Sequence, residues 1–296
     1  MARHSVAKTS AQPNHGWASL FAAGSLQRLT GTVSFCENPG TTMPTHKHAH
    51  PYLLDHDFAC IAHRGGGAEG PENSKRTFAA AVGLGYRFIE TDVQATSDGV
   101  VMVFHDDALD PLTDGEGTIA ELPYSDVRQA NIAGTEPLMT LEEALIEFPD
   151  TRFNIDIKTD QALRPTLELM RRMNCLDRVC LASFSDNRLA SVRSELGPEV
   201  CSGAGPRDVT ALKFASWGIP FMRASAHCAQ VPISEYGITI VTRRFVEYCR
   251  RRGVAVHVWT IDDPDEMRRL IRLGVHGLMT DRPSVLKRVA IEEGVW

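Results

Sequence analysis

At 296 residues the chain is long enough for one large α/β domain or two small ones. Apolar residues make up 43% and charged residues 23%, a globular balance that excludes a low-complexity or fibrous protein. The formal net charge of −6 argues against a nucleic-acid binder, which needs a basic face, and leaves small anionic substrates open.

Residues 1–56 read as a mostly irregular, flexible N-terminal extension, because Ser, Thr, Gly, Pro and His are scattered there without a sustained period. Six of the eleven histidines lie in it, His4, His15, His46, His48, His50 and His56, and the spacing of His46, His48 and His50 would also suit a metal. Met43 is an alternative start. No apolar run approaches the ~18 residues of a membrane span and no secretory segment leads the chain, so a cytoplasmic location is expected. The seven cysteines, Cys36, Cys60, Cys175, Cys180, Cys201, Cys228 and Cys249, form no CxxC pair and no zinc-like spacing, so buried free thiols are expected.

From residue 57 to 296 strand and helix patterns alternate. The first strand, 59–63, ends in His63-Arg64-Gly65. A histidine at the lip of an apolar strand beside a planar guanidinium is better placed for a phosphate or carboxylate than for core packing. Asn73 and Ser74 then offer caps for a helix that stops at Gly85. The second strand, 87–93, puts Phe88, Glu90 and Asp92 on one face and Ile89, Thr91 and Val93 on the other. Two adjacent carboxylates at an inner lip need a positive partner. Arg64 or Lys158 would serve as an ion pair, and a hard divalent cation, Mg²⁺ or Ca²⁺, would serve as a ligand.

His105 follows a short apolar run and precedes Asp106 and Asp107; alone it is as consistent with a loop ion pair as with catalysis. With His63 it would supply an acid and a base titrating near working pH. The third strand, 153–158, puts Asn154, Asp156 and Lys158 on one face, adding a third carboxylate and a second cation. Further strands are expected at 178–184, 199–203, 220–225, 254–260 and 276–280. Thr242 starts the helix before 254–260, and Asp263-Pro264-Asp265-Glu266 starts the one after it. Trp259 shares parity with His257 and would wall a ligand pocket, with core packing as the competing role; core packing is expected for His257 and His276. His227, placed after the sixth strand, has no assignment. Eight strands with polar residues at the C-terminal ends of several of them predict a closed (β/α)8 TIM barrel over 57–296 rather than an open doubly wound sheet.

The motifs His63-Arg64-Gly65, Glu72-Asn73, Glu90-Thr91-Asp92, Asp98-Gly99, His105-Asp106, Asp156-Ile157-Lys158, Trp259-Thr260 and Thr280-Asp281 together resemble the glycerophosphodiester phosphodiesterase family over about residues 59–290. The resemblance implies a metal-dependent hydrolase that releases sn-glycerol 3-phosphate and an alcohol, through a cyclic phosphate. It matches His63 and His105 to the acid–base pair, Glu90 and Asp92 to metal ligands, and Arg64 and Lys158 to phosphate contacts. Asp156 stands where the family usually has glutamate, a shorter reach to the same Mg²⁺ or Ca²⁺. Lysophospholipase D activity and non-catalytic binding of a phospho-ligand are the alternatives. The expected partner is a small phosphodiester, with no nucleic acid and no membrane span; peripheral lipid contact stays open.

Overall fold

The computed structural model describes residues 50–53, 57–110, 112–219 and 224–296. His46, His48 and His56 lie outside these residues, as do 220–223.

Eight parallel strands and eight helices alternate. They are β1 (Ala59–His63), α1 (Lys75–Gly83), β2 (Phe88–Ala95), α2 (Leu141–Glu147), β3 (Arg152–Ile157), α3 (Asp160–Met173), β4 (Val179–Ala182) and α4 (Asp186–Leu196), followed by β5 (Cys201–Ser202), α5 (Pro206–Ser216), β6 (Cys228–Val231), α6 (Arg243–Arg251), β7 (Ala255–Val258), α7 (Pro264–Leu273), β8 (Gly277–Thr280) and α8 (Pro283–Glu292). The strands pair in the order β5-β4-β3-β2-β1-β8-β7-β6. The ring closes between β5 and β6 through a single parallel bridge, Gly203 with Cys228. The expected TIM barrel is the one observed.

The sixth strand differs from its expected position. It is Cys228–Val231, not 220–225, so His227 stands before the strand rather than after it, where its Nδ1 accepts from the Ser202 amide at 3.3 Å. The run 228–231 is short and carries a glutamine, which masked its strand character. A ninth strand of the sheet, Val101–Val103, folds back antiparallel on β2 and delivers His105 to the barrel rim.

Strand-to-helix loops end in side-chain caps that place helix starts on the rim where the strands end. Ser74 accepts from the Thr77 amide, Thr159 from Ala162, Ser185 from Arg188 and Thr242 from Phe245. Thr140 forms a full capping box with Glu143, and Asp263 accepts from Asp265 and Glu266. Each cap satisfies amides that have no partner inside the helix.

The barrel interior runs from apolar to charged along the strands. Ala59, Ile61, Phe88, Cys180, Cys201, Cys228, Ala255 and Met279 form one buried cluster, with Trp259 packed against it. Tyr52 closes that cluster from below, its ring 5.4 Å from Phe88 in an edge contact. The Tyr52 turn is pinned because its amide donates to His50 Nδ1 while His50 Nε2 contacts the Glu199 carbonyl at 3.0 Å. Pro51–Leu53, which composition groups with the extension, thus packs as the barrel floor.

Candidate active site

Successive side chains on one strand face climb from floor to rim by about 6.7 Å per pair of residues. On β2 that climb runs Phe88, Glu90, Asp92, all buried. Register fixes the neighbours: His63 lies beside Glu90, and Asp92 beside Asp156. His63, Glu90, Asp92 and Asp156 therefore meet at the C-terminal lip of β1, β2 and β3.

Asp92 is the most buried charge of the group, 1% exposed. Lys158 Nζ stands 2.8 Å from its Oδ1 and Arg64 Nε 3.0 Å from its Oδ2. Asn73 donates to Oδ2 at 3.1 Å and accepts from Thr91 at 2.7 Å. Asn73 reaches this position in the left-handed region, φ 54°, which asparagine tolerates better than most residues. It is thus a positioner of Asp92, while Ser74 alone caps α1. Burial pushes the Asp92 carboxyl up, but Lys158, then Arg64, outweigh it and hold it well below the usual carboxylate range.

Lys158 also donates to Asp156 Oδ2 at 2.8 Å. Burial disfavours its charge, yet Asp156 and Asp92 keep the ammonium firmly protonated. Asp156 Oδ1 is buried without a hydrogen-bond partner. Glu90 accepts the Arg64 amide on Oε2 at 3.1 Å. Burial and the adjacent Asp92 hold the Glu90 carboxyl above its ordinary range, against His63, Arg64 and Lys158. Arg64 Nη1 donates to Glu72 at 2.8 Å.

Both candidate acid–base histidines are held by a carboxylate at Nδ1. His63 Nδ1 lies 2.7 Å from Asp281 Oδ1, which leaves Nε2 facing Glu90 at 3.7 Å. Burial pushes the His63 imidazole down, but Glu90 and the Asp281 hydrogen bond outweigh it and the net direction is up. His105 Nδ1 lies 2.5 Å from Asp106 Oδ1. Gln94, buried on β2, holds the His105 loop through the carbonyls of His105 and Asp106 at 3.2 and 3.3 Å.

On the far side Trp259 meets Phe184 edge-on at 5.8 Å, and Lys158 Nζ lies 6.0 Å from the Phe184 ring centroid. All eight residues singled out in sequence therefore lie on the rim side of the barrel. The acids do not form a tight oxygen cage. Among the described residues the one set of three or more potential ligands within 4.8 Å of one another is Cys180, Cys201 and Cys228. Lys158 and Arg64 occupy the space between the carboxylates instead.

Sequence reasoning missed three contributors. Asp281 enters the sequence reading only within the Thr280-Asp281 motif, with no role of its own; it stands at the end of β8, which pairs with β1. Asn73 was read as a cap. Phe184, just past β4, carried no polar signal.

A closed parallel barrel with two carboxylate-held imidazoles and a mixed-charge cluster at its C-terminal rim defines an acid–base site of the kind that TIM-barrel enzymes carry. The family described as "Glycerophosphoryl diester phosphodiesterase family" matches residues 63–285. A Mycobacterium tuberculosis protein named "Probable glycerophosphodiester phosphodiesterase 2" is 37% identical over 231 residues, 76% of this chain and 88% of that one. A glycerophosphodiester phosphodiesterase from Caldanaerobacter subterraneus is 30% identical over 241 residues, 76% and 95% of the two chains. Among solved structures, an Oleispira antarctica phosphodiesterase in complex with the product sn-glycerol-3-phosphate superposes with a TM-score of 0.67 at 22% identity, covering 79% of this chain and 96% of that one. An Agrobacterium tumefaciens glycerophosphodiester phosphodiesterase gives 0.65 at 21%, covering 79% and 99%. The chain belongs to the glycerophosphoryl diester phosphodiesterase family and is a phosphoric diester hydrolase. No helix among the described residues is long and apolar enough to cross a membrane.

Proposed function

We propose that the chain hydrolyses glycerophosphodiesters to sn-glycerol 3-phosphate and an alcohol, with His63 and His105 as the acid–base pair. The observation that carries this is the pair of imidazoles, each fixed at Nδ1 by a carboxylate, with Nε2 left for substrate. One Nε2 takes the proton of the glycerol 2-hydroxyl as its oxygen attacks phosphorus. The other gives a proton to the departing alcohol oxygen, so the P–O bond breaks without an alkoxide leaving. A cyclic phosphate results, and water opens it with the proton roles reversed. Using the neighbouring hydroxyl makes the attack intramolecular, which removes much of the entropic barrier.

The phosphate oxygens need positive partners. Lys158 Nζ spends two of its three donors on Asp92 and Asp156, which leaves one for a phosphoryl oxygen. Arg64 spends an Nη1 donor on Glu72, and its Nε lies 3.0 Å from Asp92 Oδ2 as an ion pair without hydrogen-bond geometry, which leaves Nη2. Trp259 and Phe184 supply an apolar side wall. Glu90, Asp92 and Asp156 suit a divalent metal, Mg²⁺ or Ca²⁺, on two grounds. Asp156 Oδ1 is buried and unsatisfied, and Glu90 is raised by burial and by the neighbouring Asp92, both of which a cation would offset. Such a hard cation, when bound, neutralises charge on the phosphate oxygens.

The test is release of glycerol 3-phosphate from glycerophosphocholine by wild type, His63→Ala and His105→Ala, with and without chelator. Each variant is expected to fall by at least ~10², and chelation is expected to abolish turnover in wild type. Activity indifferent to both the histidines and the chelator refutes the mechanism. The Phe184–Trp259 wall also suits an acyl chain, and a human relative named lysophospholipase D GDPD1 is 24% identical over 264 residues. Faster turnover of lysophosphatidylcholine than of glycerophosphocholine would select that substrate class.

A further inference from the structure

Three thiols with no part in this chemistry meet at the barrel floor. Cys180, Cys201 and Cys228 come from consecutive strands β4, β5 and β6 and face inward. Their Sγ atoms all lie within 4.8 Å of one another, with Cys180 and Cys228 at 3.5 Å. All three are fully buried. That spacing is too long for a disulfide, whose sulfurs sit about 2.05 Å apart. It is close to the separation of about 3.8 Å that tetrahedral thiolates take around an ion bound at 2.3 Å.

Two further observations point to a ligand here. Tyr52, fully buried, packs in the same cluster near all three thiols, and its Oη has no hydrogen-bond partner. A buried hydroxyl normally has a partner, so an orphan marks a place where one belongs. The three cysteines also flank the weakest part of the ring. β5 is two residues long, and it reaches β6 through the single Gly203–Cys228 bridge. A bound ion would tie these three strands together where hydrogen bonding is sparse.

We propose that Cys180, Cys201 and Cys228 form a structural site for a thiophilic divalent cation of the Zn²⁺ kind, with Tyr52 Oη as the fourth group. Thiolates select such an ion over the hard cations suited to the rim. Binding replaces three S–H protons, which leave to solvent, with three metal–sulfur bonds, and the site carries a net charge of −1 while the phenol stays neutral. The Tyr52 turn covers the site from below, so the ion enters before that turn docks and its binding is coupled to folding.

The full chain, produced with Co²⁺ as the added transition metal and then washed with chelator, tests this. The expected result is about one retained cobalt per chain with a thiolate-to-cobalt charge-transfer band, which oxygen ligands at the rim do not give. The Cys201→Ser and Cys228→Ser variants are expected to lose both. Should they not fold, Zn²⁺ added during refolding of wild type must bleach the band and displace the cobalt. Folded wild type with no retained ion and no band overturns the proposal. So does a band that survives in Cys201→Ser, or a Cys180–Cys228 disulfide in the peptide mass spectrum of freshly prepared protein.

Discussion

Replacing Asp281 by asparagine removes the charge that orients His63 while keeping the side chain's shape. The bond lost is charge-assisted, 2.7 Å long, between groups whose side chains are 16% and 29% exposed. Hydrogen bonds to charged groups contribute about 1.5–3 kcal/mol. The partial exposure of Asp281 places this one near the lower half of that range, about 1.5–2 kcal/mol. At 1.36 kcal/mol per decade of rate this predicts a fall in kcat of about 10–30-fold. KM is expected to stay within about twofold, because Asp281 acts through the imidazole rather than on substrate binding. The assay is steady-state release of glycerol 3-phosphate from glycerophosphocholine, with a thermal melt as control. Because Asp281 works through His63, adding Asp281→Asn to His63→Ala should slow the enzyme no further. Unchanged kcat in the single variant, or a full additive loss in the double one, would refute the positioning role.

Lys158→Met leaves Asp92 and Asp156 facing each other without their shared cation, although Arg64 still pairs with Asp92. Breaking such a buried pair costs about 3 kcal/mol at the low end, a fall of about 6–12 °C in Tm for a domain of this size. Scanning calorimetry in chelator should show it, and excess Mg²⁺ or Ca²⁺ should recover part of it. A chain starting at Asp57 lacks Tyr52 and should lose about 3–5 kcal/mol in urea unfolding, the usual cost of removing a buried aromatic. Burial pushes the Cys60 and Cys249 thiols up to about 12. At pH 9 only about one in a thousand of each is then thiolate, so both should resist alkylation in native protein and react after denaturation, as read by peptide mass.

The period of two in Phe88–Val93 and Phe153–Lys158 was enough to place Glu90, Asp92, Asp156 and Lys158 on an inner face, because strand geometry leaves a side chain only two directions. Helix starts at Thr242 and Asp263 were equally readable, since their caps are local. What failed depended on neighbours distant in sequence. Asp281 meets His63 only because β8 lies beside β1, and nothing in the Thr280–Pro283 motif names that partner. Cys180, Cys201 and Cys228 read singly as buried free thiols, the last of them outside any expected strand, and only closure of the ring brings them together. The sixth strand was displaced because Cys228–Val231 is too short for its pattern to outweigh the apolar residues just before it. Tyr52 sat in a stretch without periodicity, so its seat under Phe88 left no trace in the pattern.

Lys158 has rivals for its attention. Its ammonium already bridges Asp92 and Asp156, so part of the negative charge at the rim is offset from within. An anion that draws Lys158 away uncovers two carboxylates, and a cation that occupies those carboxylates releases Lys158. The two visitors thus help each other by thermodynamic reciprocity. Either alone must first break up an existing partnership, whereas together they exchange partners.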